Sequence, residues 1–391
     1  MLHPTHPVRP GPTLVASRFQ HRAQAMLAHA DIRLNGSRPW DMTIHHPETL
    51  ERVLLTGSLG LGESYMDGWW DCDELDGLFE RILRHGLDQQ VRSMHPLLHF
   101  LKSHLGNAQS ARRAWTVGRE HYDLNPALFQ RMLDPTLCYS CGYWEHAQTL
   151  EQAQEAKLEL ICRKLQLQPG MQLLDIGCGW GSLMRYAATH HGVRCVGLTV
   201  SREQAATGSV LDRQLPIRYE LADYRQFNLD GQQRFDRIAS VGMFEHVGLH
   251  NHLDYFNTAR RSLKPDGLFL LHTIGKNTSN TPIDPWIEKY IFPNGELPSL
   301  QELTRSIEPQ WVIEDVHNFG ADYDRTLMAW HQRFKAAWPE LKDQHSPRFY
   351  RMWSYYLLSC AGTFRARSNQ LWQLVLSPQG IPGGYRRPFL P

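Results

Sequence analysis

No apolar run in this chain approaches the roughly 20 residues needed to span a bilayer, and the N-terminal segment lacks the apolar core of a secretory leader. Membrane contact, if it occurs, is therefore expected to be peripheral. An excess of either charge is also missing: Lys and Arg number 41 against 40 Asp and Glu. Such a balance sets up no field for gathering nucleic acid, so RNA or DNA is not an expected partner. The seven cysteines form no paired framework, which points to a reduced, cytoplasmic setting. Cys138 and Cys141 make one C-x-x-C, but no second pair stands at zinc-site spacing, and no metal is expected. Internal repeats and low-complexity tracts are absent as well.

What is present begins with length and a glycine loop. At 391 residues the chain exceeds one typical domain, and 42% hydrophobic with 21% charged residues is ordinary for a folded protein. Leu173 to Ile176 is an apolar strand carrying Asp175, and it runs into Gly177, Gly179 and Gly181. Strand, glycine loop and helix start together form a nucleotide-type cradle, because glycine permits positive φ and close approach of backbone to ligand. The G-x-G-x-G spacing differs from the dinucleotide G-x-G-x-x-G. Asp175 would also repel a pyrophosphate and attract a cation. S-adenosylmethionine (SAM), with a sulfonium, an ammonium and no phosphate, fits best.

Further strands are expected over 194–198, 217–221, 237–241 and 268–274, alternating with helices. The fold class predicted is α/β: a doubly wound, Rossmann-like SAM-dependent methyltransferase domain with a smaller, mainly helical N-terminal domain. The second strand ends at Thr199-Val200-Ser201 with Gln204 beyond, and the third stops at Asp223, expected near adenine. The boundaries read as 1–102 for the N-terminal domain, 103–119 for a polar linker and 120–391 for the catalytic domain. Asn35-Gly36 suggests a hairpin between Ile32 and Ile44. Trp69-Trp70 suits either an interface or packing against the larger domain. The Gly/Pro-rich stretch from Pro378 to Pro391 reads as a mobile tail whose Arg386-Arg387 could meet acidic headgroups.

Several motifs occur together and in order: Glu120-His121-Tyr122-Asp123-Leu124, Tyr139-Ser140-Cys141, Leu174 to Gly181, Thr199 to Gln204, Gly242-Met243-Phe244-Glu245-His246-Val247-Gly248, Leu271-His272-Thr273-Ile274-Gly275, Tyr290 to Gly295, and Asn318 to Tyr323. In this combination the chain resembles the cyclopropane-fatty-acyl-phospholipid synthase family. Gly62 to Trp70 is similar to the long bacterial phospholipid-acting type rather than the shorter mycolic acid enzymes. Departures are Asn125-Pro126-Ala127 after the H-Y-D-L pattern, and Cys138 and Gly142 around Y-S-C.

The resemblance implies methylation by SAM of a cis double bond in a phospholipid acyl chain, followed by proton loss and ring closure. It implies a bound bicarbonate ion as the base, held by Cys141, Glu245, His272, Tyr323 and the backbone at Ile274. Cofactor contacts implied are Tyr139, Ser140, Gly177, Thr199 and Gln204, to which the residue reading adds Asp175, Gly179, Gly181 and Asp223. Tyr323 and Phe244 would offer aromatic faces to a carbocation. A phospholipid bilayer met from the cytoplasmic side and a homodimer are the expected partners. The alternatives are alkene methylation giving a methyl-branched or methylene lipid, and a noncatalytic SAM-binding scaffold.

Overall fold

A computed structural model of the chain describes residues 14–92, 126–308 and 310–390. The expected linker over 103–119 and the Glu120 to Leu124 motif lie outside the described residues. The elements in chain order are α1 (Leu14–Ala28), β1 (Thr43–Ile44), α2 (Thr49–Thr56), α3 (Ser58–Met66), β2 (Trp70–Asp71), α4 (Leu75–Arg84), α5 (Leu87–Arg92), α6 (Pro126–Met132) and α7 (Leu150–Lys164). Next come β3 (Gln172–Ile176), α8 (Ser182–His191), β4 (Arg194–Thr199), α9 (Arg202–Leu211), β5 (Ile217–Leu221), β6 (Phe235–Val241), α10 (His252–Ser262) and β7 (Leu263–Lys276). The chain ends through α11 (Pro285–Tyr290), α12 (Leu300–Ile307), β8 (Val312–Asn318), α13 (Ala321–Leu341), α14 (Pro347–Arg365) and β9 (Asn369–Ser377).

Seven strands form one sheet in the order β5-β4-β3-β6-β7-β9-β8. The pairs from β5 to β7 are parallel, whereas β9 runs antiparallel between β7 and β8. The central strand β3 is buried over Leu173 to Ile176, whereas the edge strand β5, I-R-Y-E-L, has no fully buried residue. The order reverses on either side of β3, so its carboxyl end, at Gly177, opens the crevice where doubly wound sheets take ligands. All the expected strands form, and the α/β class is observed. Sequence reading did not identify β8 and β9. The two pair with each other, yet α13 and α14 separate them in sequence, so no local turn announces their pairing.

The helices after β8 form a cap with the N-terminal segment. A single hydrophobic cluster takes in Trp70, Leu78, Phe129, Trp286, Trp330, Trp353 and Tyr355. Trp286 seats its indole against Gly62 and Met66, leaving no room at Gly62 for a Cβ. Arg351 donates to Tyr65 O, Trp70 O and Asp71, while Arg365 joins Asp76 to Asp324. Hence Trp70 is fully buried, the packing alternative for that residue, and Trp69 stacks on His46.

Two expectations fail. The Ile32 to Ile44 segment is not a hairpin: Thr43 and Ile44 pair with Asp71 and Trp70, and Asn35 turns with positive φ to receive Ile44 N on its side chain. The C-terminal stretch is not a loose tail either. Arg387 forms a bidentate pair with Asp315 on β8, and the Tyr385 hydroxyl donates to Lys164 O, so Arg387 is already committed. Among the described residues no helix is long and apolar enough to cross a membrane.

Candidate active site

The crevice at the end of β3 is a cavity whose wall includes Tyr139, Ser140, Asp175, Gly177, Gly179, Thr199, Gln204 and Asp223. Local rules place each. Gly177 sits at φ 88°, and a Cβ there would lie 2.5 Å from Met243 Cβ, so the loop passes too close to its neighbour for any side chain. Ser201 caps α9 by accepting from Gln204 N at 3.2 Å, and the cap brings the Gln204 amide oxygen to the Thr199 hydroxyl at 2.8 Å. Asp223 caps the short turn after β5, and Arg225 grips its carboxylate at 2.6 and 2.9 Å. Its acceptor capacity toward adenine is therefore shared with a guanidinium.

Gly181 is the exception among the predicted cofactor residues. Also at positive φ, it starts α8 facing Tyr219, whose hydroxyl would lie 1.7 Å from a Cβ. Close packing of the helix against β5, not the cavity wall, explains this glycine.

Asp175 is the electrostatic centre of the cavity. It is fully buried, its Oδ1 has no hydrogen-bond partner among the described residues, and burial pushes its carboxyl up to about 7. An orphaned carboxylate costs several kcal/mol of desolvation unless something cationic meets it. The donor set fits SAM: a carboxylate for its positive end and a backbone cradle made by the glycines, while the two cations in the wall, Lys157 and Arg225, are engaged with Ser140 and Asp223.

Beside this cavity lies a second, more enclosed group. Cys141 follows Ser140 directly, and Glu245 precedes His246, which also lines the cavity, so the two sets meet at two neighbouring pairs. Glu245 accepts Ile274 N on Oε1 at 2.7 Å, its Oε2 has no partner in hydrogen-bond geometry among the described residues, and burial raises its pKa to about 7 against the pull of Ile274 N and the nearby Thr273 hydroxyl. His272 Nδ1 meets Gln373 Nε2 at 3.2 Å, the ring's Nε2 has no partner among the described residues, and burial holds the ring well below the usual imidazole range. Burial raises the Cys141 thiol and the Tyr323 phenol well above their ordinary values, so both keep their protons. Tyr323 lies within electrostatic reach of Cys141, Tyr139 and Glu245. The structure thus brings the five predicted residues into one region, with a phenol donor at Tyr323, a Cys141 thiol that donates to Gly142 O at 3.1 Å, and, among the described residues, orphaned atoms at Glu245 and His272.

The expectation for Phe244 is overturned. Its ring is buried among His252, Tyr255 and Phe256 with centroids 4.4 to 5.6 Å away, so it faces the core. Tyr323 packs on Phe364 at 4.6 Å and on Trp330 at 6.0 Å.

Sequence reasoning missed three residues. Lys157, almost wholly buried, donates from Nζ to Ser140 Oγ at 3.0 Å and exerts its charge on Asp175, Cys141 and His272. Its signal was available: in α7 the buried face holds Leu150, Ala153, Gln154, Lys157, Leu158, Ile161 and Lys164, so both lysines fall in the apolar phase. Thr326 was the second. Its hydroxyl receives Gly142 N and Trp144 Nε1 at 3.0 and 2.8 Å, fastening the segment after Cys141 to α13. Gln373, a polar residue midway along buried β9, was the third.

The sequence model of the family described as "Mycolic acid cyclopropane synthetase" matches residues 109–374. The cyclopropane-fatty-acyl-phospholipid synthase of Escherichia coli (strain K12) is 54% identical over 365 residues, covering 93% of this chain and 94% of the relative. Among solved structures, the cyclopropane synthase MmaA2 from Mycobacterium tuberculosis is 37% identical with a TM-score of 0.63, covering 67% of this chain and 97% of that one. The mycolic acid cyclopropane synthase CmaA1 complexed with SAH and CTAB is 34% identical, with the same score and coverage. With a SAM-type crevice in a doubly wound sheet and these relatives, the chain belongs to the cyclopropane synthase family of SAM-dependent methyltransferases.

Proposed function

We propose that the protein converts the cis double bond of an unsaturated phospholipid acyl chain into a cyclopropane, with SAM as methyl donor and bicarbonate as the proton acceptor. The observation that carries this reading is the junction of the two sets: a cavity suited to a cationic donor adjoins a buried cluster with unfilled polar atoms on Glu245 and His272. A simple methyl transfer to oxygen or nitrogen has no need for the second set. The identity to the E. coli enzyme supports the same substrate class.

Bound SAM supplies an electrophilic methyl, and bound bicarbonate supplies a base. The chain's own residues do the rest. Asp175 would hold the positive end of the cofactor and Gly177 and Gly179 would let the backbone close on it. The wall formed by Tyr139, Tyr323 and Trp330, rings 5.2 to 6.0 Å apart, excludes water that would trap a carbocation on the lipid. Tyr323 offers π density without a nucleophilic anion, because its phenol stays protonated.

Around the anion, Cys141 and Tyr323 would donate, and Ile274 N steadies Glu245. A carboxylate beside an anion repels unless a proton lies between them. Glu245, raised to about 7, suits the sharing of a proton at that point. Lys157, held on Ser140 Oγ, adds a positive charge that acts on Cys141 and His272. On this reading the partner is the bilayer, met peripherally from the cytoplasmic side. The N-terminal domain expected over 1–102, whose described part packs on the helices after β8, would serve membrane or homodimer contact, and 120–391 would form the catalytic domain.

Incubating the purified protein with SAM and vesicles of cis-unsaturated phospholipid, followed by lipid mass spectrometry, tests the function. A gain of one CH₂ that resists hydrogenation is expected. No SAM-dependent gain by a folded, SAM-binding protein would move the search to another acceptor.

A further inference from the structure

We infer that Gln373 is a positioning residue that sets the tautomer of His272, so that the imidazole presents Nε2–H to the buried cluster. Register places the two side by side: His272 of β7 is the direct partner of Gln373 on β9. Both side chains are fully buried, and the Gln373 amide nitrogen, which can only donate, lies 3.2 Å from Nδ1, while its Oε1 has no partner among the described residues. Burial, together with the charges of Lys157 and Lys164, keeps the ring neutral. A neutral imidazole carries one N–H. With Nδ1 accepting, the proton sits on Nε2, the atom that has no partner among the described residues.

The residue type matters as much as the contact. Glutamine donates without carrying charge, whereas a carboxylate at this position would take a proton from the ring side and leave Nε2 as a bare acceptor. Beyond Gln373, β8 places His317 in register with it, and His317 Nδ1 meets Lys164 Nζ at 3.1 Å. Lys164 in turn lies 3.4 Å from Asp315. The neutral amide of Gln373 therefore stands between His272 and His317, the ring that Lys164 contacts. In the catalytic setting proposed above, on which the functional half of this inference rests, Nε2–H donates to the anion. The tautomer itself does not depend on that reading.

The experiment uses full-length protein labelled with ¹⁵N-histidine, in which the His272 signal is the one lost in His272→Gln. Nitrogen shifts at neutral pH are expected to show the Nε2–H form in the native protein and a proton on Nδ1 in Gln373→Glu. Turnover is read in parallel. In Gln373→Glu the new carboxylate raises the imidazolium pKa, and the imidazolium keeps N–H on both nitrogens; turnover therefore falls as pH rises, with a descending limb the native enzyme lacks. The other charged groups acting on the ring are Lys157 and Lys164 of α7, and both remain in the variant. Gln373→Met, of similar shape and without the amide, is expected to lose roughly tenfold in kcat with the Kd for SAM unchanged. An Nδ1–H form in the native protein overturns the inference, as does a Gln373→Glu enzyme with native turnover and native pH profile. An Nε2–H form in an enzyme indifferent to bicarbonate supports the tautomer assignment and removes the anion reading instead.

Discussion

The cofactor cavity and the buried cluster share a wall but are built in opposite ways. The cavity floor is local: Asp175, Gly177 and Gly179 lie within five residues, and Thr199 and Gln204 are tied by a single helix cap. The cluster is collected from Cys141, Glu245, His272 and Tyr323, on four different segments, and is steadied by Ile274, Thr326 and Gln373 from three directions. A local site binds by backbone shape and tolerates shared acceptors such as Asp223. A collected site depends on side-chain atoms left unfilled in a buried region, which is costly and therefore informative about ligand chemistry.

The sharpest way to separate the regions is Glu245→Gln. Turnover is expected to fall by about 10²-fold or more, the range for losing a group engaged in proton transfer, while isothermal calorimetry finds SAM affinity within about twofold of native. Equal losses in both would merge the two sites into one. The reciprocal test is Gly177→Ala. A positive φ of 88° and a Cβ 2.5 Å from Met243 make it strained; a penalty of about 1–3 kcal/mol corresponds to roughly 5- to 150-fold weaker SAM binding. Gly179, at φ 53° with nothing near its would-be Cβ, serves as the milder control: Gly179→Ala should weaken SAM less.

Smaller effects come from pH. Asp175 must ionise to meet a cation, and its carboxyl is raised to about 7, so SAM affinity should increase as pH rises through that value. Asp175→Asn should bind more weakly and show a flatter profile by calorimetry. Stability runs the other way. A carboxyl raised in the folded state adds stability that is complete below its unfolded pKa, near 4, and is lost as pH climbs to about 7. Thermal melts of the ligand-free protein should therefore decline over that window, and Glu245→Gln should decline less. An unchanged slope would mean that Glu245 titrates as an ordinary surface carboxyl.

What the sequence disclosed follows the same division. Asp175 and the glycines announce the cavity because their signal spans a few residues, and β3 to β7 follow from alternation with helices. Gly181 misled because spacing cannot separate a glycine facing ligand from one facing Tyr219. Single residues could not announce the cluster: Cys141, Glu245 and His272 each had an unremarkable reading, and only resemblance across many motifs grouped them. Gln373 stayed hidden because its meaning depends on β9 lying between β7 and β8, a long-range pairing that local pattern does not encode. Phe244 failed for a rotational reason, since neighbours on a short turn, Phe244 and Glu245, look in opposite directions.

The central claim is tested most directly with SAM carrying a fully deuterated methyl group and vesicles of cis-unsaturated phospholipid, with the product acyl chains analysed by mass spectrometry before and after hydrogenation. Ring closure removes one deuteron, so the account predicts an added carbon that retains two deuterons and a product that takes up no hydrogen. Retention of all three deuterons, or ready uptake of hydrogen at the modified position, would contradict it.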